Sequence, residues 1–124
     1  MLARHAAVLA ATLTLSGCAA VSTVDGQRLA LTSPQFRAYV EQVFRQQNRL
    51  ADELAFALED VAAAHPELAA VEQDLLEACA GVNELATARR DEQHLGLGRS
   101  AAAARSVPEC ERASRHAAAA LAAL

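Results

Sequence analysis

The stretch from Ser33 to Pro66, SPQFRAYVEQVFRQQNRLADELAFALEDVAAAHP, decides how the rest of the chain folds. Ser33 offers a side-chain oxygen to the free amides of a first helical turn. Pro34 suits the first helical position, where a missing N–H is no loss. Beyond them Phe36, Val40, Val43, Leu50, Leu54, Ala57, Val61 and Ala64 recur in alternating steps of four and three, interrupted by Gln47. This is a heptad-like stripe over about four repeats, so one face of a long helix is apolar and needs a partner. Off the stripe, Arg37, Glu41 and Arg45, and again Arg49 and Glu53, stand four residues apart, the spacing of ion pairs on a solvated face. His65-Pro66 ends the helix because the residue before a proline avoids the helical region.

Toward the C-terminus, Pro66 starts a second helix expected to run to about His94. Leu68, Val71, Leu75, Ala78, Cys79, Val82, Leu85 and Ala86 share one face of it. So short a connection folds the first two helices into an antiparallel hairpin. Leu95-Gly96-Leu97-Gly98 breaks the pattern, and the stretch up to Arg105 reads as a loop with at most one Ala-rich turn. Ser106-Val107-Pro108-Glu109 has the spacing of a capping box, which places a third, shorter helix from about Val107 to Leu124. Cys110, Ala113, Ala117 and Leu121 line one face of that helix. The expected fold is therefore all-α, a helical hairpin plus a third helix in a small three-helix bundle. From Cys79 to His94 the second helix advances about 22 Å, so a third helix joined to it at the cysteines would cover only the half of the hairpin near His65-Pro66. The C-terminal run from Ala117 to Leu124 is apolar all round. It is too short to span a bilayer and is expected to pack against Ala-rich neighbours.

Toward the N-terminus, Arg4 lies in the first five residues, Ala6 to Leu15 is a continuous apolar or hydroxyl-bearing run, and the small residues Ser16 and Gly17 follow. That is the three-part layout of a secretory signal. The run is about half the ~20 residues a membrane-spanning helix requires. Leu15-Ser16-Gly17-Cys18 resembles the lipobox of bacterial lipoproteins. The resemblance implies cleavage before Cys18, which becomes the first residue of the mature chain, acylated on its sulfur and commonly on its amine. Two or more acyl chains anchor stably, since each buried CH₂ contributes about 0.8 kcal/mol. In many Gram-negative bacteria an Asp directly after the lipidated Cys holds such a protein at the inner membrane. Ala19 stands there instead, so the resemblance favours the outer membrane, facing the periplasm. Residues 19–32 lack a sustained period and hold the turn signal Asp25-Gly26. The expected division is a cleaved signal over residues 1–17, a lipidated terminus and flexible tether over 18–32, and a helical domain over 33–124.

Three cysteines leave one over in an exported protein. Lipidation of Cys18 removes it and leaves Cys79 and Cys110 as a pair. A bridge between them closes a loop worth roughly 3.5–4 kcal/mol in the chain-entropy model, and two buried free thiols are the alternative. After loss of residues 1–17 the 124-residue chain keeps 107, enough for one modest core. A net charge of -4, with every basic residue an Arg, argues against a nucleic-acid partner.

Chemistry-bearing patterns are sparse. Cys79, Cys110, His94 and His116 lack the spacings of a zinc site, and Cys110 and His116 diverge by about 120° on one helix. Adjacent carboxylates such as Glu59-Asp60 and Asp91-Glu92 point apart, and the sequence shows neither a phosphate loop nor an activated nucleophile. The expectation is a non-catalytic chain without metal or cofactor. Phe56 is the oddly placed residue, about 200° from Leu54 among Arg49, Asp52 and Asp60. Either the tether or the 95–106 loop covers it, or it anchors a protein partner. The resulting expectation is a lipid-anchored envelope accessory that works by protein contact. An inhibitor or immunity-type protein and a carrier of a small apolar ligand are the alternatives, and self-association through the first helix's stripe is a further route to covering it.

Overall fold

The computed structural model describes residues 19–124. Cys18 and the signal-like segment before it lie outside the described residues. Two short strands, β1 (Ala20–Ser22) and β2 (Arg28–Ala30), precede three helices, α1 (Pro34–Val61), α2 (Glu67–Arg90) and α3 (Leu97–Ala122). The domain is thus mostly helical, with a small sheet that an all-α reading does not contain.

Residues 19–32, expected as a flexible tether, form an antiparallel hairpin with Ala20 opposite Ala30, Val21 opposite Leu29 and Ser22 opposite Arg28. Strand alternation puts Val21 and Leu29 on one face, and both are buried in the main core. Two apolar positions in three-residue strands are too few to register as a period, which is why the sequence reads as a linker. Gly26, at φ 86°, takes the left-handed position of the turn, and the Thr23 hydroxyl accepts from the Gln27 amide across it.

The N-terminus of α1 forms as its cap residues dictate: Ser33 Oγ accepts from the Phe36 amide at 3.1 Å. Phe36, Val40, Val43, Leu50 and Leu54 of the stripe are buried, as is Tyr39 beside it. Gln47 does not interrupt the stripe so much as continue it in polar form. It is fully buried and its amide donates to Asn83 Oδ1 of α2 at 2.7 Å and to Asn48 Oδ1 at 3.0 Å. The helix closes at Val61, five residues before Pro66, and the Val61 carbonyl accepts from both Ala64 and His65.

Two helix boundaries differ from expectation. α2 stops at Arg90 rather than near His94, because Glu92 adopts a left-handed φ of 52°. There the Glu92 amide donates to Arg89 and the Gln93 amide to Ala88 at 2.8 Å, the two backbone bonds of a Schellman stop, with glutamate where glycine is usual. α3 starts at Leu97, not near Val107, so it is not a short helix and Ser106-Val107-Pro108-Glu109 lies inside it. Ser106 Oγ, expected as a cap acceptor, instead donates to the Ala103 carbonyl at 2.6 Å. Pro108 removes one helical hydrogen bond at a cost of about 3 kcal/mol, offset here by burial of its ring and of Ala103, Ala104 and Val107 around it. Local helix propensity of Ser100 to Ala104 and tertiary burial together outweigh the capping signal.

With the early start of α3, the connection from α2 is a six-residue turn, and α3 runs back along α2 from its first residues. Arg99 pairs with Glu84, Ser106 lies against Gly81, and Cys110 meets Cys79. The half of the hairpin expected to stay open is therefore covered. The Cys79–Cys110 disulfide joins the two helices with Cα atoms 4.5 Å apart, and both residues are fully buried.

Gly81 marks where the helices come closest. A Cβ added there would lie 2.2 Å from Ser106 Oγ and 3.2 Å from Ala103 Cα. In an open helix, Gly→Ala adds about 1 kcal/mol of stability. For Gly81→Ala the contact reverses the sign, because the backbone at Ala103 cannot swing aside, and a urea melt should show a loss of about 1–3 kcal/mol. Glu92→Gly should behave oppositely. It removes a side chain from the left-handed position and should raise the unfolding free energy by about 0.5–1 kcal/mol, read as a higher thermal midpoint.

Candidate functional site

The largest polar construction in the domain fastens the hairpin to the helices. Tyr39 of α1 donates its phenol proton to Glu111 Oε2 of α3 at 2.5 Å. Glu111 is buried, and its other oxygen accepts from Arg115 Nη2 at 2.8 Å. The same nitrogen reaches both Asp25 carboxylate oxygens at 3.1 Å in the turn between β1 and β2. Glu111 thereby meets Tyr39 from α1 directly and is linked to the hairpin turn through Arg115. A charge so placed is tolerable only with partners on each oxygen. Burial, together with the hydrogen bond and the negative charge of Glu111, drives the Tyr39 hydroxyl far above its ordinary range. Arg115 is held more firmly charged by its hydrogen bonds to Glu111 and Asp25.

No local pattern announces this network. Tyr39 and Glu111 are 72 positions apart, and Glu111 reads as one more solvated carboxylate on a helix. The visible hint was Tyr39 next to Val40 on the stripe, a hydroxyl facing the core and needing a partner.

The residues singled out in the sequence separate widely. Cys79 and Cys110 come together as the bridge. Phe56 is exposed at 70%, on the far side of α1 from the core, and neither the hairpin nor the α2–α3 turn covers it. Around it the helix surface is charged, with Arg49 3.7 Å from Glu53 on the same exposed side. Leu97, read in the sequence only as part of a pattern-breaking loop between two glycines, is more exposed still at 92%. His94 and His116 are both exposed, and among the described residues no group of three or more His, Cys, Asp or Glu side chains converges as metal ligands would. The surface depressions are open, with polar and apolar lining mixed. One runs along Glu41, Gln42, Arg45, Gln46 and Arg49, all on α1. None of the described helices is long and apolar enough to cross a membrane.

Compared with protein-family models, with curated proteins and with solved structures, the chain matches none.

The network predicts a pH dependence. An unfolded tyrosine loses its proton near 10.0, and the folded one holds it to higher pH. Its contribution is complete below pH 10 and lost as pH rises through the folded value, since the folded state then binds more protons than the unfolded one. Tyr39→Phe should lower stability by about 1–3 kcal/mol near neutral pH by leaving Glu111 short of a donor, and should flatten the decline above pH 10. Denaturant melts of both proteins at neutral and alkaline pH read the two effects separately.

Proposed function

We propose that the protein is a bacterial envelope lipoprotein, anchored through Cys18 and acting as a non-catalytic interaction partner for another envelope protein. The observation that carries this reading is the Leu15-Ser16-Gly17-Cys18 tetrad at the end of a signal-like segment. Two features of the folded part support it. The Cys79–Cys110 bridge suits an oxidising compartment, where disulfides persist, and it accounts for both cysteines that lipidation would leave. The folded surface offers a helix face, charged and long, with one large aromatic standing out of it at Phe56. A rigid, exposed aromatic among charges is the kind of side chain that concentrates binding energy at a protein contact.

A carrier of an apolar ligand has less support, because the space it would use along α2 is filled by α3. An inhibitor of a basic enzyme would use the same exposed surfaces and differs in what it contacts rather than in how it is built.

The test is expression of the complete chain in a lipoprotein-processing bacterium, followed by intact mass analysis of the membrane fraction. The mature protein should begin at Cys18 and carry diacylglyceryl and acyl groups, with Cys79 and Cys110 oxidised. A chain that keeps residues 1–17 in Cys18→Ala but not in the parent would show that processing depends on the thiol. If the parent itself retains residues 1–17, or starts elsewhere without lipid, the reading fails. In a mild-detergent pull-down from the native host, Phe56→Ala should weaken capture of the partner at least about tenfold, the effect of a ~1.4 kcal/mol contact.

A further inference from the structure

The folded chain begins almost at the proposed anchor. The Leu31 amide donates to the Ala19 carbonyl at 2.8 Å, and Ala20 is paired with Ala30. Resting on the lipoprotein reading, a lipidated Cys18 is thus separated from a fixed strand by Ala19 alone. One residue spans about 3.5 Å, so the domain has no slack with which to stand off the bilayer. Whatever surface surrounds the open end of the hairpin must meet the lipid headgroups.

That surface can be located along α3. Ala20, Val21 and Ser22 lie beside Arg105, Pro108, Glu109 and Arg112, and the turn at Asp25 lies further along at Arg115. β1 therefore runs in the same direction as α3, and the chain toward Cys18 leaves in the direction of the α3 N-terminus. Leu97 precedes Pro108 by eleven residues, three helical turns to within about 20°, and so continues the line of the face on which the hairpin lies. The hairpin buries Pro108 and stops short of Leu97, about 16 Å further on, which is why so large an apolar side chain stays open. Arg105 on α3, and Arg37 in the first turns of α1 just after Ala30, are both exposed and have no ion-pair partner among the described residues.

We propose that the open end of the hairpin, with Leu97 as an inserted apolar contact and Arg37 and Arg105 as phosphate-binding flanks, seats the domain directly on the surface of the phospholipid bilayer that holds its anchor. Interfacial binding of this kind combines a buried apolar side chain with cations at the headgroup level. The seat fixes the orientation of the domain. Phe56 lies twenty-two residues up α1 from Pro34, about 33 Å of helix, so the aromatic site is presented away from the lipid.

The chain contains no Trp, so one can be introduced as a depth probe. Full-length Leu97→Trp and Phe56→Trp would each be produced in a lipoprotein-processing bacterium, checked by mass for acylated Cys18, and reconstituted into phosphatidylethanolamine and phosphatidylglycerol vesicles with or without brominated acyl chains. Both sites are exposed, so neither substitution disturbs the core. The expected result is that brominated lipid cuts the emission of Leu97→Trp by half or more and leaves that of Phe56→Trp unchanged. Acylated protein in which Leu97→Trp is not quenched overturns the seat while leaving the lipoprotein reading in place. Equal quenching of the two overturns the orientation. A mass without acyl groups overturns both.

Discussion

The close contact of α2 with α3 is the constraint on which the remainder of the domain depends. Gly81, Ala103 and Ser106 let the two backbones approach to a distance that larger residues would forbid, and the Cys79–Cys110 bridge fastens them two residues from that point on α2. A chain with 3% aromatic residues cannot fill wide gaps between helices, so its core must be made by bringing helices close. Alanine serves that purpose twice, through helix propensity and through small size. Once α3 is laid along the whole of α2, the stripe of α1 meets a continuous two-helix surface. Leu54, Leu75, Val82 and Val107 then come to complete burial.

The hairpin completes what the helices leave uncovered. Val21 and Leu29 add to the apolar core, and the turn between the strands brings Asp25 to Arg115. Glu111 could not remain buried between Tyr39 and Arg115 without such support, because a carboxylate in a low-dielectric setting needs every oxygen engaged. Burial of Val21 and Leu29 holds this weak local element to the helices, and the exposed Arg115–Asp25 pair adds a smaller contribution. Two three-residue strands would not hold in isolation. A second polar link, Gln47 with Asn83, sets the register of α1 on α2 by similar logic, since a misaligned pair would bury unmatched amides.

These features bear on a role in the envelope. The domain is locked by a disulfide, and its ordered pairing begins at Ala19, the residue after the proposed anchor. Under the proposed function, the absence of slack changes how a partner would meet it. A tethered domain searches a volume, whereas a seated one presents a chosen face. The exposed aromatic on α1 and the exposed leucine at the start of α3 then have separate tasks, one toward a protein and one toward lipid.

The sequence by itself determined the long first helix, its Ser33-Pro34 start and the antiparallel turn at His65-Pro66, and it offered Cys79 and Cys110 as the candidate pair that the structure joins. Each rests on local capping chemistry, on a 3.6-residue period or on counting thiols, which neighbouring residues carry without help from distant ones. It also placed Phe56 outside the core, since direction on a helix follows from spacing alone. Tertiary structure decided the rest. The hairpin over residues 20–30 exists because helices supply the surface under Val21 and Leu29. The start of α3 at Leu97, and the passage of that helix through Pro108, follow from burial against α2 and the hairpin, which outweighs a capping box that was real as a pattern and unused as a cap. The buried Glu111 joins residues from three remote stretches, so only the assembled fold could give it partners and keep its charge within the core.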